Sequence, residues 1–203
     1  MRLFPLFASN LIEDRFEDEV VLDKLVNICD RTDFNECNET DRFNSSGSKS
    51  LTVLKKYPEI KNKILSYFEK SNELISHYPC KFDISTSWFT KTSKKGYSQF
   101  HSHRNSFYSG ILYFGNYSEE NKHAPIEFTS PISDLFNNYI IPKRYNINNC
   151  EMWKIFPNRG MILFFPSYLK HRIGYHEDDS IRYSLAFNIV PKGEYGIEDS
   201  YYN

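Results

Sequence analysis

Residues 181–190, IRYSLAFNIV, decide how the rest of the chain is read. On an extended strand, Arg182, Ser184 and Ala186 share one face, and Tyr183, Leu185 and Phe187 share the other. The second face is apolar and suits a pleated surface packed on a core. Similar short runs recur upstream: KFDISTSWFT (81–90), YSQFHSH (97–103), SFYSGILYF (106–114), APIEFTS (124–130), EMWKIF (151–156), MILFF (161–165) and HRIGY (171–175). Turn formers such as PNRG (157–160) separate them. Many short strands at this spacing predict an all-β sandwich or barrel of the jelly-roll kind.

Before Tyr78 the period changes. From Glu13 to Cys29 a helical pattern puts Phe16, Val20, Val21, Leu25, Val26 and Ile28 on one face. The polar segment from Asp30 to Ser50 predicts a loop. A second helix is expected from near Pro58, a favoured first-turn residue, with Ile60, Ile64, Leu65, Phe68 and Leu74 inward. The expectation is one domain over 1–203, mainly β with N-terminal helices: a helical part over 1–78 and a jelly-roll core over 79–203. There is no internal repeat, and the tail GEYGIEDSYYN (193–203) is expected to lie over the surface.

Composition narrows the function classes. With 25 basic and 26 acidic residues, the chain lacks the electrostatic footprint of a nucleic-acid binder, although a local basic groove is compatible with that balance. No stretch reaches the roughly 18 apolar residues a membrane span needs. The start has no secretory leader pattern, which predicts a soluble cytoplasmic protein. Cys29, Cys37, Cys80 and Cys150 form no Cys-x-x-Cys pair and read as free thiols in a reducing compartment.

The chemistry-bearing residues are histidines. His101 and His103 are two apart, so on a strand their imidazoles project together and can share one ion. His171 follows about seventy residues later, after an apolar strand and a turn. Imidazole suits iron, copper, zinc and nickel alike, and a lone His-x-His is also compatible with plain packing. His123 and His176 stand in polar contexts and are expected to be solvated, and His77 to be structural or at the surface. Arg182 enters a barrel interior, which is costly without an anionic partner. A guanidinium fork fits a carboxylate there, and the alternative is a surface ion pair with Glu177, Asp178 or Asp179.

The ordered set of HSH, then His171, then Arg182 resembles the 2-oxoglutarate/Fe(II) dioxygenase superfamily, whose fold is a double-stranded β-helix. That superfamily uses a His-x-Asp/Glu pair, a distant His, and a basic residue about ten positions later that binds the distal carboxylate of 2-oxoglutarate. HSHRNSFYSGILYF, GMILFFPSYLKHRI and RYSLAFNIVPKGEYG are similar to stretches of a branch of 2OG-Fe(II) oxygenases, with versions in marine cyanobacteria and their phages. The resemblance covers Trp88 to Gly196, a little over half of the chain.

It implies Fe(II) and 2-oxoglutarate as cofactors, with ascorbate as a possible addition, and metal ligation by His101, His103 and His171. It also implies cofactor binding by Arg182, helped by Ser184, with Tyr113 either bonded to the cofactor or filling the core. The implied reaction is hydroxylation of a C–H bond, coupled to decarboxylation of 2-oxoglutarate. His103 occupies the usual carboxylate position, so either three histidines hold the metal, or water takes that place, or Glu127 supplies a carboxylate from another strand. Tyr97, Gln99, Ser109, Ile111 and Asn188 are further pocket candidates, and Trp88 and Trp153 are expected in the core. The loop 30–50 and the connection 116–125 are candidate lids.

Two rival readings stand beside this one: a cupin-like three-His enzyme that ignores 2-oxoglutarate, and a jelly-roll binding module with no metal. The absence of a basic patch favours a protein or small-molecule substrate over nucleic acid, and the resemblance prefers a protein side chain such as proline. The cytoplasm expected from the absence of a leader pattern would be a host's if the protein is phage-encoded. Substrate identity and oligomeric state are not legible in the sequence.

Overall fold

The computed structural model describes residues 2, 8–35, 44–117, 123–131 and 141–200. Two antiparallel sheets face one another among them. The larger runs β1 (Ile12–Arg15), β7 (Met161–Pro166), β4 (Tyr108–Tyr113), β9 (Arg182–Lys192), β3 (Lys81–Thr92) and β2 (Ser45–Gly47). The smaller runs β6 (Met152–Ile155), β5 (Ile126–Thr129) and β8 (His171–Ile173). This is the expected jelly roll.

The large sheet is buried on both faces, and its two faces belong to different cores. Along β7, Ile162 and Phe164 meet the helices α1 (Glu19–Asp30) and α2 (Pro58–Ser71) through Leu22, Leu25, Ile60, Ile64 and Phe68. Met161, Leu163 and Phe165 point the other way, into the space between the sheets, with Tyr113, Ile126 and Phe128. Burial on both sides explains why MILFF is an unbroken apolar run rather than an alternating one. Strand β9 is sided differently. Leu185, Phe187 and Ile189 join the helix-side core, and Arg182 and Ser184 turn into the space between the sheets. At Gly110 on β4 a Cβ would collide with the Phe187 ring of β9, so glycine is what lets these strands pack.

The N-terminal part is less helical than its pattern suggested. Residues Ile12–Arg15 pair with Met161–Phe164 as an edge strand, and the helix begins only after Asp18, whose carboxylate accepts from Val21 N at 3.0 Å. The buried face is Leu22, Leu25 and Cys29, and Val20 is 79% exposed. The Asp30–Ser50 segment supplies strand β2 against β3; residues 36–43 of that candidate lid lie outside the described residues, as do 118–122 of the other. Helix α2 starts at Pro58 as expected. It ends in a widened π-turn over Asn72–Ser76, which rotates the positions after Ser71 and leaves Leu74 70% exposed instead of inward. Trp153 lies on β6, at the edge of the small sheet, and is exposed, not in the core. Cys29, Cys80 and Cys150 are free thiols, and Cys37 falls outside the described residues. No described helix is long and apolar enough to cross a membrane.

Candidate metal centre

The three histidines singled out in the sequence converge between the sheets. His171 opens β8, and its backbone exchanges two hydrogen bonds with His101, at 3.0 and 2.9 Å. His103 is tied two residues on, its N–H donating to Ser167 O at 3.0 Å. The YSQFHSH run therefore reaches the site as an irregular segment with one isolated bridge, not as a regular strand. The rings still meet: centroids lie 4.5 Å apart for His101 and His171, and 5.3 Å for each of the other two pairs. One ligand atom from each falls within 4.8 Å of the others, a group that can hold a metal ion.

Backbone carbonyls set the tautomers. His101 Nδ1 lies 2.9 Å from Gln99 O, and His171 Nδ1 lies 2.9 Å from Leu169 O. A carbonyl only accepts, so each Nδ1 carries the proton and each Nε2 keeps its lone pair for the centre. Burial, reinforced by the neighbouring His101, pushes His171 down to about 3 and His103 down to about 4. Both rings are thus neutral at physiological pH, the state a metal requires. Phe165 and Phe128 wall His171, with ring centroids at 4.8 and 6.0 Å. This donor set fits a divalent first-row ion.

The same cavity, of about 370 Å³, is lined at another point by Arg182 and Ser184. Arg182 is only 1% exposed. Its Nε donates to Ala124 O at 3.0 Å, Nη1 to Ser184 Oγ at 3.2 Å and Nη2 to Tyr113 OH at 3.0 Å. The guanidinium sits 4.9 Å from the Tyr113 ring centroid. Every one of these acceptors is uncharged. Among the described residues no carboxylate pairs with Arg182, so the surface ion pair with Glu177, Asp178 or Asp179 is not what the structure shows. A buried cation held by neutral groups beside a cavity fits a carboxylate-bearing molecule. Burial raises the Tyr113 phenol, partly offset by Arg182, so it stays protonated and able to donate.

Other candidates fall in different places. Glu127 is bonded to Arg172 at 2.6 Å and Lys154 at 2.9 Å and is not part of the histidine cluster. Ser109 and Asn188 are committed to each other at 2.8 Å, with Ser167 and Thr86 as further partners. Ser109, Gln99 and Ile111 line the cavity, and Tyr97 is exposed. His77 is at the surface in a left-handed conformation. His123 and His176, expected in solvent, are 2% and 0% exposed. His176 accepts from Ala124 N and donates to Ser180 O, so its ring stitches two loops together and polar flanks did not mean exposure. Trp88, expected in the core, lines the cavity with its ring 5.6 Å from His103. Sequence reasoning also missed Phe100 and Arg172 at the cavity wall, where the guanidinium carbon sits 4.4 Å from the Phe100 ring centroid. Adjacency to His101 and His171 was the only available sign.

Comparisons with known proteins agree with this geometry. Residues 86–188, half of the chain, match the family model described as "Putative 2OG-Fe(II) oxygenase". No curated protein matches by sequence. Among solved structures, a Pseudomonas putida prolyl-4-hydroxylase is similar at TM-score 0.60 and 13% identity, covering 93% of this chain and 96% of that one. A viral collagen prolyl hydroxylase from Paramecium Bursaria Chlorella virus-1, solved with 2-oxoglutarate, gives 0.58 and 14%, covering 88% and 94%. HygX from Streptomyces hygroscopicus, solved with nickel and 2-oxoglutarate, gives 0.63 and 7%, covering 90% and 83%. At such identities these likenesses speak for the fold. The family match sets aside both the cupin-like reading and the metal-free module. With its matched segment holding every histidine of the cluster and Arg182, this chain belongs to the 2OG-Fe(II) oxygenase family and is a non-haem iron oxygenase that uses Fe(II) and 2-oxoglutarate.

Proposed function

We propose that His101, His103 and His171 hold Fe(II), that Arg182, Ser184 and Tyr113 bind 2-oxoglutarate, and that the enzyme hydroxylates a protein side chain such as proline in a reducing cytoplasm. The observation that carries the cofactor assignment is Arg182, buried and without a carboxylate partner among the described residues, in one cavity with the three imidazoles. When bound, Fe(II) and 2-oxoglutarate supply oxidative chemistry, in which dioxygen is reduced as the 2-oxo acid loses CO₂ to give succinate and one oxygen atom enters a substrate C–H bond.

The protein's own tasks follow from its residues. Gln99 O and Leu169 O hold the protons on Nδ1 of His101 and His171 and so aim both Nε2 lone pairs inward. Arg182, with the Ser184 hydroxyl and the Tyr113 phenol beside it, orients the distal carboxylate. Ile111, Ile126 and Phe165 make that part of the cavity apolar, which strengthens the pairing. Three neutral imidazoles leave the centre one unit more positive than two and a carboxylate, which favours a dianionic cosubstrate. The protein-side-chain substrate rests on two of the similar structures being prolyl hydroxylases.

The test is an anaerobic titration of the purified protein with Fe(II) and then 2-oxoglutarate, read by visible absorption. The expected result is a charge-transfer band that is lost in His171→Ala and needs far more 2-oxoglutarate in Arg182→Ala. Iron binding without a band would overturn the 2-oxoglutarate assignment. Mass spectrometry of proline-containing peptides after aerobic turnover tests the substrate: gain of one oxygen supports it, and succinate formed only with non-peptide substrates overturns it.

A further inference from the structure

His103 lines two hollows. On one side is the cavity with His101, His171 and Arg182; on the other is an open groove of about 730 Å³ that also touches Ile75, Tyr78, Arg104, Phe107 and Tyr168. The groove is built where the π-turn after α2 and the segment at Ala8–Asn10 meet the loop between His103 and β4.

Its aromatic wall is braced by ring contacts and a hydrogen bond. The Tyr78 ring meets Phe107 edge-on at 5.0 Å, and Phe107 stacks on the buried Phe82 at 5.9 Å and 14°. The Tyr168 hydroxyl is held by Ser9 Oγ at 2.8 Å. Ile75, Tyr78, Phe107 and Tyr168 nevertheless all remain substantially exposed. Rigid exposed rings along a groove take extended, polyproline-like chain, whose backbone is already ordered and free of internal hydrogen bonds.

The groove's charge is one-sided. Among the described residues no Asp or Glu lines it, and Arg104 is the one Lys or Arg that does. Arg104 is exposed, and among the described residues no carboxylate pairs with it. It follows His103 directly in the chain.

We infer that this groove binds the substrate as an extended peptide carrying an acidic side chain close to the residue that is oxidised, and that Arg104 is the specificity-determining residue. The inference rests on the reading of His101, His103 and His171 as the iron site, because that reading makes His103, which lines the groove, part of the reacting centre. The aromatic wall takes the chain without regard to sequence, and Arg104 selects the charge. An exposed guanidinium contributes modestly, so the preference is a matter of severalfold rather than all or none.

The experiment uses the whole protein with Fe(II) and 2-oxoglutarate under anaerobic conditions and three equally long, identically labelled peptides that alternate proline with glutamate, glutamine or lysine. Fluorescence anisotropy gives the affinities, and the visible band is recorded on the same preparations. The glutamate peptide is expected to bind about fivefold tighter than the glutamine peptide, with the lysine peptide weakest. R104E is expected to reverse the order, and Y168A to weaken all three alike. An added 0.5 M salt should compress the charge preference in the wild type. Equal binding of the three peptides, or an order unchanged in R104E, overturns the inference. A protein that shows the band but no charge preference leaves the cofactor assignment standing. A preference that follows Arg104 in a protein without the band upholds the groove and overturns the cofactor assignment.

Discussion

The molecule holds two groups of histidine, and they use the same ring in opposite ways. In the cluster of His101, His103 and His171, two of the Nδ1 atoms are tied to carbonyls and Nε2 is left toward a shared centre. In the pair of His123 and His176, whose rings are 5.4 Å apart, both nitrogens of His176 are consumed by backbone groups. Among the described residues His123 Nδ1 has no hydrogen-bond partner, yet the imidazole beside it is the saturated His176. The non-clustered pair is the more buried, at 2% and 0% exposed, whereas His101 is exposed and His103 half-buried, so burial does not make a ligand. What separates them is whether the free lone pairs point at one another.

The largest effect expected from this contrast is in His171→Ala against His176→Ala. The first should lower Fe(II) affinity by at least about 100-fold, the upper range for losing even an indirect ligand support. The second should leave iron stoichiometry at the wild-type value. Metal analysis after gel filtration distinguishes them, and equal iron loss in both would break the contrast. Next in size, Arg182→Met should raise the 2-oxoglutarate concentration needed for the visible band by about 100-fold, while Fe(II) affinity barely moves. Equal loss of both would mean that Arg182 supports the fold near the histidines rather than the cosubstrate.

A smaller effect is expected in stability. His176→Ala orphans the Ala124 N–H and the Ser180 carbonyl and should cost about 1–3 kcal/mol in denaturant unfolding of the iron-free protein. Smallest is a pH dependence. Burial is the main cause holding His123 and His176 below their ordinary 6.5. Below that pH the unfolded chain takes up protons that the folded one refuses, so the stability these rings allow is present above about pH 6.5 and lost as pH falls. The unfolding midpoint should decline from pH 7 toward 5, with a shallower slope in His176→Phe. A slope unchanged in that variant would assign the decline to other groups.

The sequence showed the parts of this design that depend on period and order. IRYSLAFNIV alternates, and its two faces are where the alternation put them, with Arg182 and Ser184 inward. The helix start at Pro58 and the turn before β7 were legible because proline and glycine act locally. What escaped depended on distant partners. Ile12–Arg15 is a strand only because β7 offers it an edge, and a helical pattern running on from it hid that. HSH converges with His171 through one backbone bridge and not through strand regularity, so residues that do cluster were singled out from a geometry that does not exist there. The polar neighbours of His123 and His176 suggested solvent because nothing local reveals that another loop closes over them.

His103 lines both the histidine cavity and the groove beside it. Whatever fills one side presses on the same ring as whatever fills the other. If a guest on one side displaces that ring, the two occupancies are linked, and linkage is reciprocal: a groove ligand that changes cosubstrate affinity by some factor must have its own affinity changed by that factor. One imidazole would then let the protein sense that both guests are present before oxygen is put to use.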